Sequence, residues 1–230
     1  VKTTISNVGT AATKTINASG STGQTILVVD GTGTLALTAG SGGSSFDITA
    51  DTLTKADTIT GGAGADTVID NTATHTNATL VGVTGIETLD YNVASTITLT
   101  APTDFTTFDF DEAGNQSLIL NAGYTGAVTV DITGDATNAD VITNTAKVDV
   151  TIKGNANDFD AATDFNGSTA TETALITADS GTATFTGAGA IDFIDVITVV
   201  DKATTPGSDI TIDVNAYATA LTIDATALDG

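Results

Sequence analysis

A nine-residue, glycine-rich segment carries the strongest chemical signal in this chain. Residues 61–69 read GGAGADTVI and match in full the calcium-binding pattern G-G-x-G-x-D-x-U-x, in which U is a large apolar residue. Gly61, Gly62 and Gly64 permit backbone conformations that turn carbonyl oxygens inward, and Asp66 supplies a carboxylate. These are hard oxygen ligands of the kind that calcium prefers. The segment therefore predicts a calcium site.

A second loop must contribute ligands, because calcium takes about six to eight oxygens and a single loop offers fewer. Gly42, Gly43 and Asp47 lie 19 residues before the matching glycines and Asp66. If one turn of the chain takes about twenty residues, they are expected at the same edge as the nonapeptide. Asp57 lies nine residues before Asp66 and is expected on the opposite edge.

Three further loops resemble the nonapeptide more loosely. They are GDATNADVI at 134–142, GNANDFD at 154–160 and GAGAIDFID at 187–195. Each composition is as consistent with an Asp or Asn turn as with a calcium loop. The candidate ligands in these loops are Asp135, Asp140, Asn155, Asp158, Asp160 and Asp192.

The spacing of the aspartates indicates how distant loops could be brought together. A fixed period of about twenty residues is typical of a chain that coils, each turn stacking on the one before. Stacked turns would align the recurring carboxylates in a column at ~4.8 Å intervals, which repel each other unless water or cations separate them. The recurring residues are Asp30, Asp51, Asp70, Asp90, Asp111, Asp131 and Asp149.

Short runs of alternating apolar and polar residues recur at about half that period. An example is Thr96 to Thr100, in which Ile97 and Leu99 alternate with threonine. This alternation is typical of strands with one buried face. Two strands per twenty-residue turn predict an all-β parallel solenoid, a single elongated domain over 1–230; an antiparallel β-sandwich is the alternative. Only residues 156–165 are compatible with a short helical turn.

The composition excludes several classes of protein. The 230 residues include 28 acidic and six basic side chains, no Arg and no Cys, for a net charge of -22. There is no basic patch for nucleic acid and no disulfide or thiol chemistry. No apolar run is long enough to predict a transmembrane helix. The lone histidine, His75, lies in the polar run NTATHTN and is expected to be exposed.

Three phrases together give the chain a resemblance to a known group of proteins. With GGAGADTVI, GIETLDY at 85–91 and ALTIDATALDG at 220–230, it resembles the RTX-type proteins of bacterial surfaces, above all calcium-binding surface-layer proteins and large adhesins exported by type I secretion. The resemblance implies that calcium orders the secreted solenoid and drives lattice assembly. By matching positions it also implies that Gly61, Gly62, Gly64 and Asp66 are ligands. Unlike in that group, the nonapeptides here are not in tandem.

The function expected from these features is structural. We expect an extracellular surface-layer or matrix module that is stabilised by calcium and associates with copies of itself, as a piece of a longer or processed chain. The alternative is an adhesin segment of a large secreted RTX protein, with cell-surface polysaccharide as a candidate ligand. Enzymatic activity is not expected, because the chain has no Arg and no clustered Lys to stabilise a reacting anion.

Overall fold

The computed structural model describes residues 3–5, 12–110, 114–133, 140–155, 164–166, 172–178, 183–186, 196–201, 210–213 and 222–227. Every strand in these ranges pairs in parallel with strands from other turns of the chain, and the described residues contain no helix. The predicted parallel β-solenoid is thereby confirmed. The antiparallel sandwich is wrong. Of the residues where a short helical turn was allowed, 156–163 lie outside the described residues, and the strand Asp164–Asn166 includes the last two.

Twenty-two short strands make up the described part of the solenoid. In chain order they are β1 (Thr3–Ile5), β2 (Thr13–Asn17), β3 (Gln24–Val28), β4 (Thr34–Thr38), β5 (Gly42–Asp47), β6 (Thr58–Thr60), β7 (Thr67–Asp70), β8 (Thr74–Thr76), β9 (Val83–Thr84), β10 (Thr88–Tyr91), β11 (Thr96–Leu99), β12 (Thr107–Asp109), β13 (Ser117–Leu120), β14 (Val128–Asp131), β15 (Val141–Asn144), β16 (Val150–Asn155), β17 (Asp164–Asn166), β18 (Glu172–Ala178), β19 (Ala183–Thr186), β20 (Val196–Asp201), β21 (Ile210–Asp213) and β22 (Thr222–Ala227).

The strands form one long sheet and three short ones. The long sheet has eleven strands in the order β1-β3-β5-β7-β10-β12-β14-β16-β18-β20-β22. The first short sheet is β2-β4-β6-β9, the second is β8-β11-β13-β15-β17, and β19 pairs with β21. Each turn of the chain therefore contributes one strand to the long sheet and, in most turns, one to a short sheet.

Apolar side chains of the long sheet stack on one another in a ladder inside the solenoid. Phe46 is in register with Val68, Val68 with Leu89, and Leu89 with Phe108. All four are completely buried. Burial of one such side chain contributes roughly 1.5–3 kcal/mol. Because the same contact recurs in each turn, this ladder sets the register of the sheet.

The turns average about 22 residues, and their lengths vary. Thr88 is in register with Thr107, a step of 19 residues, whereas Thr107 is in register with Thr129, a step of 22. The predicted twenty-residue column of aspartates is therefore wrong. Asp70, for example, is in register with the buried Tyr91 rather than with Asp90.

A different acidic column runs along the outer face of the long sheet. Asp90, Asp109 and Asp131 are in register on three successive strands, and Lys153 follows Asp131 on the next strand. The Lys153 ammonium pairs with the Asp131 carboxylate. Two residues earlier on the same strands, hydroxyl side chains form a parallel column that the sequence analysis missed. Its members are Ser45, Thr67, Thr88, Thr107, Thr129, Thr151 and Thr173.

The turn that runs from β7 to β9 joins the two short sheets. It contains two short strands: β8 pairs forward with β11, and β9 pairs back with β6. Polar side chains connect the backbones at this junction. The Asn77 carboxamide oxygen accepts N–H bonds from Thr100 and Ala101 at 2.7 and 3.1 Å, and Asp104 accepts the Gly85 N–H at 2.7 Å.

Glycines lie where the backbones of adjacent turns approach too closely for a side chain. A Cβ atom on Gly62 would lie 1.5 Å from the Gly40 carbonyl oxygen, and one on Gly61 would lie 1.6 Å from the Gly85 carbonyl oxygen. Both glycines are in the nonapeptide. The close packing of adjacent turns therefore requires glycine at both positions, whatever else the loop does.

We predict that Gly62→Ala lowers the free energy of unfolding by roughly 3 kcal/mol or more, because the added methyl must displace backbone rather than a flexible side chain. The matched control is Gly20→Ala, where a Cβ meets nothing within 4 Å and little change is expected. Urea unfolding followed by circular dichroism measures both. Equal stability of the two variants would contradict the close approach at Gly62.

Candidate functional site

The nonapeptide forms the turn between β6 and β7, where the chain passes from the first short sheet to the long sheet. It stacks on residues 40–43 of the preceding turn. A Cβ on Gly64 would lie 2.2 Å from the Gly43 nitrogen, and a Cβ on Gly43 would lie 2.4 Å from the Ala65 carbonyl oxygen. The glycines of the two loops are therefore neighbours, as the spacing predicted.

The Asp66 carboxylate faces backbone N–H groups on both sides. Asp66 is only 1% exposed. One oxygen accepts the Ser44 N–H of the preceding turn at 2.6 Å, and the other accepts the Gly62 N–H of its own loop at 2.7 Å. The Asp66 N–H in turn donates to the Glu87 carboxylate of the following turn at 2.8 Å. Asp66 thus links three successive turns.

Asp47 does not join Asp66 at this edge. Ser45 is in register with Thr67 and Asp47 with Ile69, so Asp47 lies at the far end of its strand from the nonapeptide. The predicted pairing of Asp47 with Asp66 is wrong because the local step is 22 residues rather than 19. Asp47 instead accepts bonds from the N–H and the hydroxyl of Thr49, at 3.1 and 2.7 Å, and closes a turn after its strand.

The arrangement around Asp66 does not fit a calcium site. Each carboxylate oxygen already accepts one backbone N–H group, so hydrogen bonds offset the charge of Asp66 without a cation. Within the described ranges, no group of three or more Asp, Glu, His or Cys side chains converges in a way that could hold a metal. Calcium prefers several oxygens directed at one point. Calcium binding by this chain therefore stays a prediction from its sequence.

Two other predicted ligands have the same role as Asp66, and we call these three buried residues carboxylate clamps. Asp57, just before β6, accepts the Leu35 N–H of the preceding turn at 2.8 Å, as well as the N–H and hydroxyl of Thr54. Asp140, just before β15, accepts the Gln116 N–H at 2.8 Å. Each clamp lies one residue before a strand and replaces a carbonyl oxygen in the parallel ladder.

The remaining predicted ligands are not brought together in the described part of the chain. Asn155 ends β16 and is half-buried. Asp135, Asp158, Asp160 and Asp192 lie outside the described residues.

A buried polar cluster occupies the core beside the junction of the short sheets. The His75 Nε2 lies 2.8 Å from an Asp70 carboxylate oxygen, and both side chains are completely buried. The other Asp70 oxygen accepts the N–H and the hydroxyl of Thr72, at 3.1 and 2.9 Å. The expectation of an exposed histidine is wrong. Its place on β8, between two outward-facing threonines, was the signal that could have revealed a core position.

Tyr91 completes this cluster. Its ring centroid lies 5.3 Å from that of His75 and 6.1 Å from that of Phe110, and the residue is completely buried. Its hydroxyl has no hydrogen-bond partner among the residues that the structure describes. Burial, with a smaller contribution from the Asp70 charge, raises the pKa of Tyr91 well above its usual value of 10.0. Because Asp70, His75 and Tyr91 are all completely buried, the cluster is part of the core.

An open groove on the surface lies at the same junction. Its volume is about 300 Å³. Leu80, Val81, Val83, Ala101 and Pro102 provide its apolar lining. Val81 is 68% exposed, which makes it the most exposed large apolar side chain among the described residues. An apolar groove with one exposed aliphatic side chain is suited to a small apolar or extended ligand.

Comparisons with known proteins give no identification: no protein family, curated protein or solved structure matches this chain. Among the described residues, no helix has the length and apolar character needed to cross a membrane.

We predict that Asp66→Asn lowers the free energy of unfolding by roughly 2–3 kcal/mol, because an amide nitrogen would face one of the two N–H groups that Asp66 accepts. The loss is expected to be the same in calcium and in excess chelator. Thermal unfolding in both conditions measures it. The control is Asp104→Asn, an exposed carboxylate that accepts one N–H and whose loss costs less. A calcium-dependent gain in melting temperature that Asp66→Asn alone removes would contradict this role.

We predict that Tyr91→Phe leaves stability at neutral pH unchanged or slightly higher, because the lost hydroxyl has no partner. Above about pH 10 the unfolded chain releases the tyrosine proton while the folded chain retains it, so the stability of the natural chain falls as pH rises. The variant lacks this contribution and loses less stability. Urea unfolding at neutral and alkaline pH tests the difference; identical alkaline losses would contradict it.

Proposed function

We propose that this chain is an extracellular structural module, a solenoid segment of a surface layer or matrix that associates laterally with copies of itself. The observation that supports the proposal is the outer face of the long sheet. Its hydroxyl column continues without interruption over seven strands, and the carboxylates of Asp90, Asp109 and Asp131 are aligned beside it. Such a face repeats the same polar groups at strand spacing, ~4.8 Å.

A face of this kind can meet an identical face along its whole length. Each group on one copy finds the same partner group on the other, so weak hydrogen bonds between hydroxyls add up over many turns. Repeated short contacts of this sort are how solenoids build extended assemblies. The half-buried state of the threonines also limits the side-chain entropy lost on association.

The charge of the chain determines the conditions under which copies can associate. A net charge of -22 opposes contact between copies, and the aligned carboxylates add local repulsion. Divalent cations between copies would remove both obstacles. Calcium, abundant outside cells, is the cation that the sequence resemblance favours. In this proposal calcium acts between molecules at the outer face and not at Asp66. The proposal assigns no catalytic role to the chain, and export by type I secretion stays a prediction.

The groove beside Val81 favours a second candidate function, a binding segment of a secreted adhesin. It combines an exposed apolar residue with the polar groups of Asn77 and Asp104 at its margin. Polysaccharide remains the candidate ligand from the sequence. The substitution Val81→Asp would weaken adhesion without changing association between copies, which separates the two functions.

We predict that the purified chain associates into ordered sheets or fibres in millimolar calcium and disperses in chelator. Sedimentation velocity and electron microscopy measure the assembly. The double substitution Asp90→Asn and Asp109→Asn removes two aligned charges and should allow association at lower calcium. Circular dichroism of each sample checks that the chain is folded, because an unfolded variant would not test association. A chain that stays monomeric at high concentration with and without calcium would contradict the proposal.

A further inference from the structure

A lysine lies buried in the first turns of the solenoid at a position that is apolar in the next turn. Lys14 on β2 is in register with Leu35 on β4. Its side chain is only 1% exposed, and the side chain of Asp51 beside it is 5% exposed. The Lys14 nitrogen lies 3.4 Å from one Asp51 carboxylate oxygen. Removing an ammonium and a carboxylate from water costs free energy, so the burial of this pair requires an explanation.

Two oxygen acceptors from the described residues face the Lys14 nitrogen. The Lys14 nitrogen donates to the Gly31 carbonyl oxygen as well as facing Asp51 Oδ2. The second Asp51 oxygen, Oδ1, accepts the Thr52 N–H at 2.8 Å. An ammonium has three N–H donors, and two acceptors face this one. The nitrogen therefore has one strong carbonyl partner and one carboxylate partner.

We propose that Lys14 and Asp51 become joined by an amide bond between the lysine Nζ and the aspartate Cγ. The proton passes from the ammonium to the carboxylate, the freed nitrogen lone pair attacks Cγ, and Oδ2 leaves as water with a second proton from the nitrogen. The ammonium and carboxylate together contain all the atoms of one amide and one water, so no other reactant is required. The modification site is the Lys14–Asp51 pair itself.

The product satisfies the polar groups that the pair presents. The amide retains one N–H, and the Gly31 carbonyl oxygen is placed to accept it. The amide retains one carbonyl oxygen, Oδ1, which already accepts the Thr52 N–H. The oxygen that faces the lysine nitrogen is the one that leaves. Two buried charges are thus replaced by a neutral group with both of its hydrogen bonds made.

The bond would act as a permanent cross-link in a chain that has no cysteine. It would close a segment of 37 residues by sequence separation and join β2 to the turn after β5. Cross-links of this length stabilise a fold by restricting its unfolded chain.

Mass spectrometry of the full chain under denaturing conditions tests the proposal. The expected intact mass is lower than that of the sequence by one water. Trypsin then fails to cleave after Lys14 and releases residues 3–55 as one peptide that contains an internal link, because the flanking lysines are Lys2 and Lys55. Fragmentation should locate the link between Lys14 and Asp51. Lys14→Arg and Asp51→Ala should both restore the full mass of their sequences.

The more exposed pair of Lys153 and Asp131 provides a control within the same molecule. The Lys153 side chain is 38% exposed, and water competes for its partner. Trypsin is expected to cleave after Lys153 normally. A loss of water that persists in Lys14→Arg would place the dehydration elsewhere and overturn the proposal. An intact mass equal to that of the sequence, with cleavage after Lys14, would overturn it as well and leave an ordinary buried ion pair.

Discussion

The fold depends on a ladder of parallel backbone hydrogen bonds that must continue from one turn to the next. The loops that lead into the strands differ in length, so a backbone N–H near the start of a strand does not always meet a carbonyl oxygen of the neighbouring turn. The carboxylates of Asp57, Asp66 and Asp140 supply that acceptor from side chains. A carboxylate is a stronger acceptor than a carbonyl, and burial strengthens the bond further. The clamps therefore connect turns where the backbone alone would leave a donor unpaired.

The class of fold could be predicted from the sequence, but the register could not. Apolar residues that alternate with threonine, such as Ile97 and Leu99, indicate a strand with one buried face. Turn residues at regular intervals, such as Gly and Asn, indicate that the strands are many and short. The register is determined by which apolar residues stack, for example Leu89 on Phe108. Loops add or remove residues between these anchors, so a count from one aspartate to the next loses the register within two turns. Alignment on the core residues would have revealed the threonine column.

The nonapeptide shows why a local motif predicts the packing of the backbone better than it predicts which ligand the loop binds. Its glycines do permit the close approach of two turns, as their Cβ contacts demonstrate at Gly61 and Gly62. The motif also places a carboxylate at the centre of that approach. Whether the carboxylate then meets a cation or backbone N–H groups depends on the neighbouring turn, which the nine residues do not contain. Ser44 of the neighbouring turn supplies an N–H at 2.6 Å, so the Asp66 carboxylate links the backbones of two turns.

Two groups of acidic residues in the described chain have different electrostatic partners. The clamps and Asp70 lie in the interior, and their charge is offset by N–H groups, hydroxyls or the His75 imidazole. Asp90, Asp109 and Asp131 are in register along the outer face of the long sheet, where Lys153 pairs with Asp131. Salt screens the second group far more than the first, because buried pairs are shielded from ions. In the proposed assembly, the stability of the solenoid and the association of its outer face would therefore depend on different carboxylates.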